Sequence, residues 1–319
     1  MPSSTVVPPT PPPGSSTSPT STTSTTQTAS SKDDTLSSLE AGLDALQTST
    51  KTRTRGARRT LRALLPLAIS VSVLLLVWEV AFRLGPQDVT RFPPPALVGL
   101  TFLRLWEDAT VVEALVTSVE RGVVGFLLAA VIGTPLGIVV ARVRWIRSSF
   151  GPLITGLQVL PSVAWVPAAV IWFGLSDVTI YSVILLGAVP SIINGIVAGV
   201  DQVPPLYKRV GLVLGANPVE LVRHVILPAA LPGYLAGLKQ GWAFSWRSLM
   251  AAELIAVGGD IGFGLGQLLQ QGRDLGDMSR IFVGIILILV VGIAVELLFF
   301  APVERAVMRR RGLAVDADR

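Results

Sequence analysis

Long apolar runs alternate with short polar breaks along this chain. Residues 122–141, 152–173 and 178–200 contain no Asp, Glu, Lys, Arg or His. Each run is long enough to cross a hydrocarbon core of about 30 Å as a helix. Three further stretches, 63–82, 232–258 and 281–301, are nearly as apolar. The pattern therefore predicts six membrane-spanning helices and an all-α integral membrane protein. Gly133 and Gly137 form one Gly-x-x-x-Gly step and Gly195 and Gly199 another, a spacing that lets helix backbones approach closely in lipid. Pro135, Pro161, Pro167 and Pro190 interrupt the runs. Backbone groups freed at that depth need neighbours or a wet cavity, which favours a bundle with a path through it over separate anchors.

Composition agrees. Half of the 319 residues are hydrophobic, only 15% are charged, and the mean hydropathy is +0.63; a soluble domain carries about a quarter charged residues. The pI near 10.1 reflects basic residues gathered beside the spans and calls for no nucleic acid. With the N-terminus inside, Lys and Arg number 17 in the inner flanks (51–62, 142–151, 201–231 and from 302) against 6 outside. The positive-inside bias thus predicts that both termini and the 201–231 loop are cytoplasmic.

Other chemistry is excluded. There is no cysteine, a single histidine (His224) and no Gly-Lys dipeptide, hence no thiolate or paired-histidine metal site and no P-loop. No metal, cofactor or catalytic cluster is expected, so the chain reads as no enzyme. Residues 1–31 hold 18 Ser/Thr and 7 Pro, a composition that cannot bury enough apolar surface to fold, and they lack the form of a secretory signal. Leu36, Leu39, Leu43 and Leu46 then mark a short amphipathic helix. The chain divides into a disordered tail (1–50), a basic flank with the first span and an external segment (51–115), a core (116–302) and a basic C-terminus (303–319). The glycine run "GGDIGFGLG" (258–266) follows a helix with the wrong spacing for a dinucleotide fingerprint and reads as a flexible external turn.

The loop at 201–231 predicts two short helices and a turn. Gly215 suits a left-handed position after the first helix, with Ala216 completing the turn. Asn217 suits the N-cap of the second, with Pro218 at N1 and Glu220 at N3. The second helix is expected to stop at Pro228, with Val219, Val222, Val225 and Ile226 on one face and Glu220, Arg223 and His224 elsewhere. A plain polar connector is the alternative, but thirty or so residues exceed what connection needs.

Gly215, Val225, Leu227 and Pro228 realise the pattern G-x9-[IV]-x-L-P, which resembles the cytoplasmic loop signature of bacterial ABC importer permeases. "RFPPPALV", "SVERGVVGFLLAAVIGTPLGIVVAR", "LQVLPSVAWVPAAVIWFGLSD", "LPAALPGYLAGLKQGWAFSWRSLMAAELIA" and "VERAVMRR" resemble the nitrate/sulfonate/taurine-type permeases over about residues 91–311. The Glu-Ala-Ala that often opens the family's loop motif is here Arg209, Val210 and Gly211. The resemblance implies a type I permease fold, a coupling helix at about 202–231 seated in a cleft of an ATPase subunit, and a bacterial inner membrane location. It also implies a homodimer or heterodimer of permease subunits embedded in lipid, two ATPase subunits and an extracytoplasmic solute-binding protein. The implied solute is a small anion of the nitrate, sulfonate or taurine class.

Three charges fall in the fifth expected span. Lys239 and Arg247, eight residues apart, share a broad helical face; Glu253 lies about 240° from Arg247, so the two cannot pair within the helix. Such charges face a bundle interior or a wet pathway. Lys239 either snorkels to the inner interface or joins Arg247 in the substrate path, and Arg247 is either paired or substrate-facing. The resemblance, in which the permeases also carry a Glu at the position of Glu253, implies a packing or gating role for that residue. A secondary transporter is the alternative reading; it would need acidic relays, and Glu79 and Glu296 lie only near span ends.

Overall fold

A computed structural model describes residues 56–259 and 261–310 of the chain. The expected tail, its amphipathic helix at 36–46 and the end of the C-terminus lie outside the described residues. Met1–Ser70 and Val71–Arg319 separate as two units. In the first, the described backbone is helical from Gly56; the second contains the packing contacts and sites described below.

Every described element is helical: α1 (Gly56–Leu84), α2 (Pro95–Glu107), α3 (Thr110–Arg142), α4 (Arg144–Val159), α5 (Val166–Phe173), α6 (Asp177–Asp201), α7 (Pro205–Val213), α8 (Pro218–Ile255), α9 (Leu265–Asp274) and α10 (Met278–Arg309). Among the described residues α3, α6, α8 and α10 are long and apolar enough to cross a membrane, and α4 with α5 makes a fifth if that bent pair counts as one. The first expected span lies within α1, whose side chains are described only from Leu65 onward.

Glycine sets the central packing. Antiparallel α6 and α8 touch backbone to backbone, with Gly195 against Gly237 and Gly199 against Gly233, where a Cβ on any of the four would overlap the facing chain. The Gly195/Gly199 step thus meets a second one on α8. On the other side of α6, Ile192 and Ile196 fill the spaces over Gly133 and Gly137 of α3. Trp242, Trp246 and Phe126 extend this core, and the Trp246 indole N–H donates to Ile288 O of α10 at 3.2 Å.

Four expectations need correction. The stretch 152–173 is no straight helix, because α4 and the helical segment Ser162–Phe173 meet at 95°. Leu160 precedes Pro161 and is held extended (φ −66°, ψ 125°), the conformation a proline ring favours in its predecessor. The second loop helix does not stop at Pro228 but runs on to Ile255. A π-turn at Leu221–Ile226 precedes the proline, and its wider spacing accommodates a residue that brings no N–H. The same device recurs at Glu296–Phe300, just before Pro302 in α10. The second expected span begins at Thr110 and not at 122, which moves Arg121 from an external segment into the bundle. Finally, the glycine run is no loose turn, since Ile261, Gly264 and Leu265 are buried.

Candidate functional site

The loop between α6 and α8 is built as its turn residues dictate. Gly215 has φ +83°, its N–H donates to Leu212 O and that of Ala216 to Gly211 O, both at 3.0 Å; this is the paired bonding of a Schellman end. The Asn217 side chain accepts from the N–H groups of Val219 and Glu220 at 3.0 and 2.9 Å, while Glu220 accepts from the Asn217 N–H at 3.0 Å. The capping box is complete.

Leu221, Val222, Val225 and Ile226 form the half-buried inner face. Val219, expected on that face, instead points outward at 70% exposure, beside Val213 at 87% and Leu214 at 80%. Glu220, Arg223 and His224 are exposed next to this apolar tip, and Leu227 and Pro228 follow it. The departure at Gly211 has a local reason: Leu221 closes onto Gly211, where a Cβ would meet its methyl at 2.5 Å. At the base of the loop, Arg147 of α4 donates through both terminal nitrogens to Asp201 at 2.7 and 2.6 Å, which ties the bent pair to the end of α6.

The three charges of α8 separate into two places. Lys239 and Arg247 line one cleft of about 590 Å³ with Gln240, Trp242, Trp246 and Glu296. Lys239 is ion-paired there with Glu296 and lies 3.8 Å from Glu304 of α10, two carboxylates that bracket the second π-turn. Arg247 has no carboxylate partner among the described residues; its Nε donates to Ala243 O at 3.0 Å and its guanidinium lies 4.5 Å from the Phe244 ring centroid.

Glu253 is elsewhere and wholly buried. Its Oε2 accepts from the Ser118 hydroxyl at 2.7 Å and the Gly266 N–H at 3.0 Å, and Arg121 Nη1 stands 3.3 Å from its Oε1. Arg121 also donates to Gly262 O at 3.1 Å and to Asp177 at 2.7 Å, and the Leu265 N–H donates to Ser118 Oγ at 2.8 Å. Sequence reasoning missed Arg121, Ser118 and Asp177. The signal available was Arg121 at the very edge of a charge-free run, one residue outside it.

Comparison with known proteins places this geometry. Residues 133–307 match the family model described as binding-protein-dependent transport system inner membrane component. The chain is similar to the taurine transport system permease protein of Escherichia coli, 30% identical over 233 residues that cover 72% of this chain and 83% of that one. It is also similar to the nitrate import permease protein of Synechococcus elongatus, 26% identical over 246 residues covering 74% and 87%. Among solved structures, a chain of the MetNI methionine ABC transporter, seen in inward-facing conformations, has the same fold. Its TM-score is 0.53 at 19% identity, covering 62% of this chain and 95% of that one.

Proposed function

We infer the substrate class and assembly of this chain from its membership: it belongs to the binding-protein-dependent transport system inner membrane components and is the multi-pass permease subunit of an ABC importer. Membership of this family carries with it a separate ATPase and a solute-binding protein. The substrate we propose is a small oxyanion or organic sulfonate, the class that the names of the taurine and nitrate relatives point to. One observation on this chain carries that reading: in the α8 cleft the Lys239 charge is already matched by carboxylates, while Arg247 has none among the described residues. A planar guanidinium with free donors suits bidentate contact to a sulfonate or nitrate.

The assembly we propose is a dimer of permease subunits with two ATPase subunits inside and a binding protein outside, both permease termini being cytoplasmic. The 17-to-6 distribution of Lys and Arg supports the orientation. The exposed tip of Val213, Leu214 and Val219, beside Glu220 and Arg223, supports the loop at 202–231 as the ATPase contact, within a permease core at 116–302. ATPase closure would then move these tips and tilt the bundle.

The experiment is vesicle uptake of labelled taurine and nitrate by the full complex, normalised to assembled complex. Arg247→Met should lower uptake by roughly tenfold or more, the scale of one lost charged hydrogen bond, while Arg247→Lys keeps part of it and assembly stays intact. Unchanged normalised uptake in Arg247→Met removes Arg247 from the path.

A further inference from the structure

The cluster around Glu253 gathers four separate parts of the chain. Ser118 and Arg121 come from α3, Glu253 from the far end of α8, Asp177 from the start of α6, and Gly262, Leu265 and Gly266 from the segment that enters α9. Both carboxylate oxygens of Glu253 and the Ser118 hydroxyl are engaged. Glu253 receives three donors from two directions, and the Ser118 hydroxyl accepts from Leu265 as it donates to Glu253. The fit is close enough that a Cβ at Gly264 or Gly266 would fall on Glu253 itself. Asp177 is half-exposed, at 52%, and water competes for it, as it does at exposed Gly262.

Opening this cluster would leave a buried carboxylate and a buried guanidinium each without its partner, a costly arrangement for buried charges. A joint that must part in every cycle would be built differently, from exposed and singly bonded groups. We propose that Arg121 is a positioning residue that, through Glu253 and the Gly262 carbonyl, keeps segment 261–266 fastened to α3 and α8 throughout the transport cycle. That half of the bundle moves as one body, and alternating access takes place at other helix contacts. The proposal rests on the reading of the chain as a transporting permease, and its test separates the two.

The chain has no native cysteine, so an introduced pair stands alone. A Cβ built at Gly262 lies 3.7 Å from the Thr117 Cγ2 methyl, so side chains at the two positions meet. Thr117→Cys with Gly262→Cys, assembled with the ATPase and binding protein in vesicles, should cross-link on oxidation and transport alike in oxidised and reduced forms. Uptake that vanishes on oxidation and returns on reduction overturns the proposal, because the contact would then have to open. The comparison is made within one variant, so a general loss of transport counts against the permease reading and not against the fastening.

A second arm needs no transport. Ile261 is buried, and a cysteine there should react with a membrane-impermeant thiol reagent severalfold more slowly than one at exposed Gly262. Adding Arg121→Met should raise the Ile261→Cys rate severalfold, and Arg121→Lys should restore much of the protection. Protection that persists in assembled Arg121→Met complexes overturns the positioning role, whatever uptake does.

Discussion

Helix α8 carries ions in two settings, and they obey opposite rules. At Lys239 and Arg247 the side chains stand in an open cleft; Lys239 is 43% exposed and its partner Glu296 35%. Water and salt screen such a pair, so it stabilises by about 0–1 kcal/mol, and Arg247 beside it has no carboxylate partner among the described residues. At Glu253, less than two turns beyond Arg247, exposure is zero and each oxygen is occupied. There the ions are committed to one another. An ion on a membrane helix is therefore read by its neighbours and its burial, and depth alone does not decide between a path and a clamp.

The contrast can be broken most sharply at Arg121. Arg121→Met should cost about 3–5 kcal/mol by leaving Glu253 buried without its cation, seen as a lower melting temperature of the detergent-purified complex. Adding Glu253→Gln should recover a good part of that loss; a double variant no more stable than the single one would mean that packing, and not charge, holds the cluster. Ser118→Ala comes next. It withdraws one donor from Glu253 and one acceptor from the Leu265 N–H, at about 1–3 kcal/mol, by the same measurement. The smallest effect belongs to Lys239→Met, which should shift stability by less than about 1 kcal/mol. If Lys239→Met is as damaging as Ser118→Ala, the two settings are not distinct.

What the sequence revealed divides along the same line as local and distant contact. The charge-free runs marked helices because a span is a local property, and Gly215, Asn217 and Glu220 were legible because a helix end is settled within six residues. The link between Arg121 and Glu253 joins positions 132 residues apart, and no spacing rule encodes it. Proline proved ambiguous for a physical reason. Pro135, Pro190 and Pro232 sit inside helices that continue, and Pro228 follows a π-turn that carries the helix past it. At Pro161 the chain turns. The ring forbids one hydrogen bond in each case, and the surrounding packing decides whether the helix bends, widens or ends. The pairing of Lys239 with Glu296 and Glu304 depended on the approach of α10, which periodicity within α8 alone does not disclose.

The unbroken course of α8 has a mechanical consequence. Thirty-eight residues at a rise of 1.5 Å make a rod of about 57 Å, capped at one end by Asn217 and pinned at the other by Glu253. Displacement applied at the capped end travels along a single covalent strut, past Lys239 and Arg247, without a loop to absorb it. The only change of pitch is the π-turn at Leu221–Ile226, next to the point where force would enter. With the far end anchored, a small sideways push at the tip becomes rotation about that anchor, and the cleft residues sweep in proportion to their distance from it. Lys239 lies farther from the pivot than Arg247 and travels more, so its partner on α10 feels the stroke first.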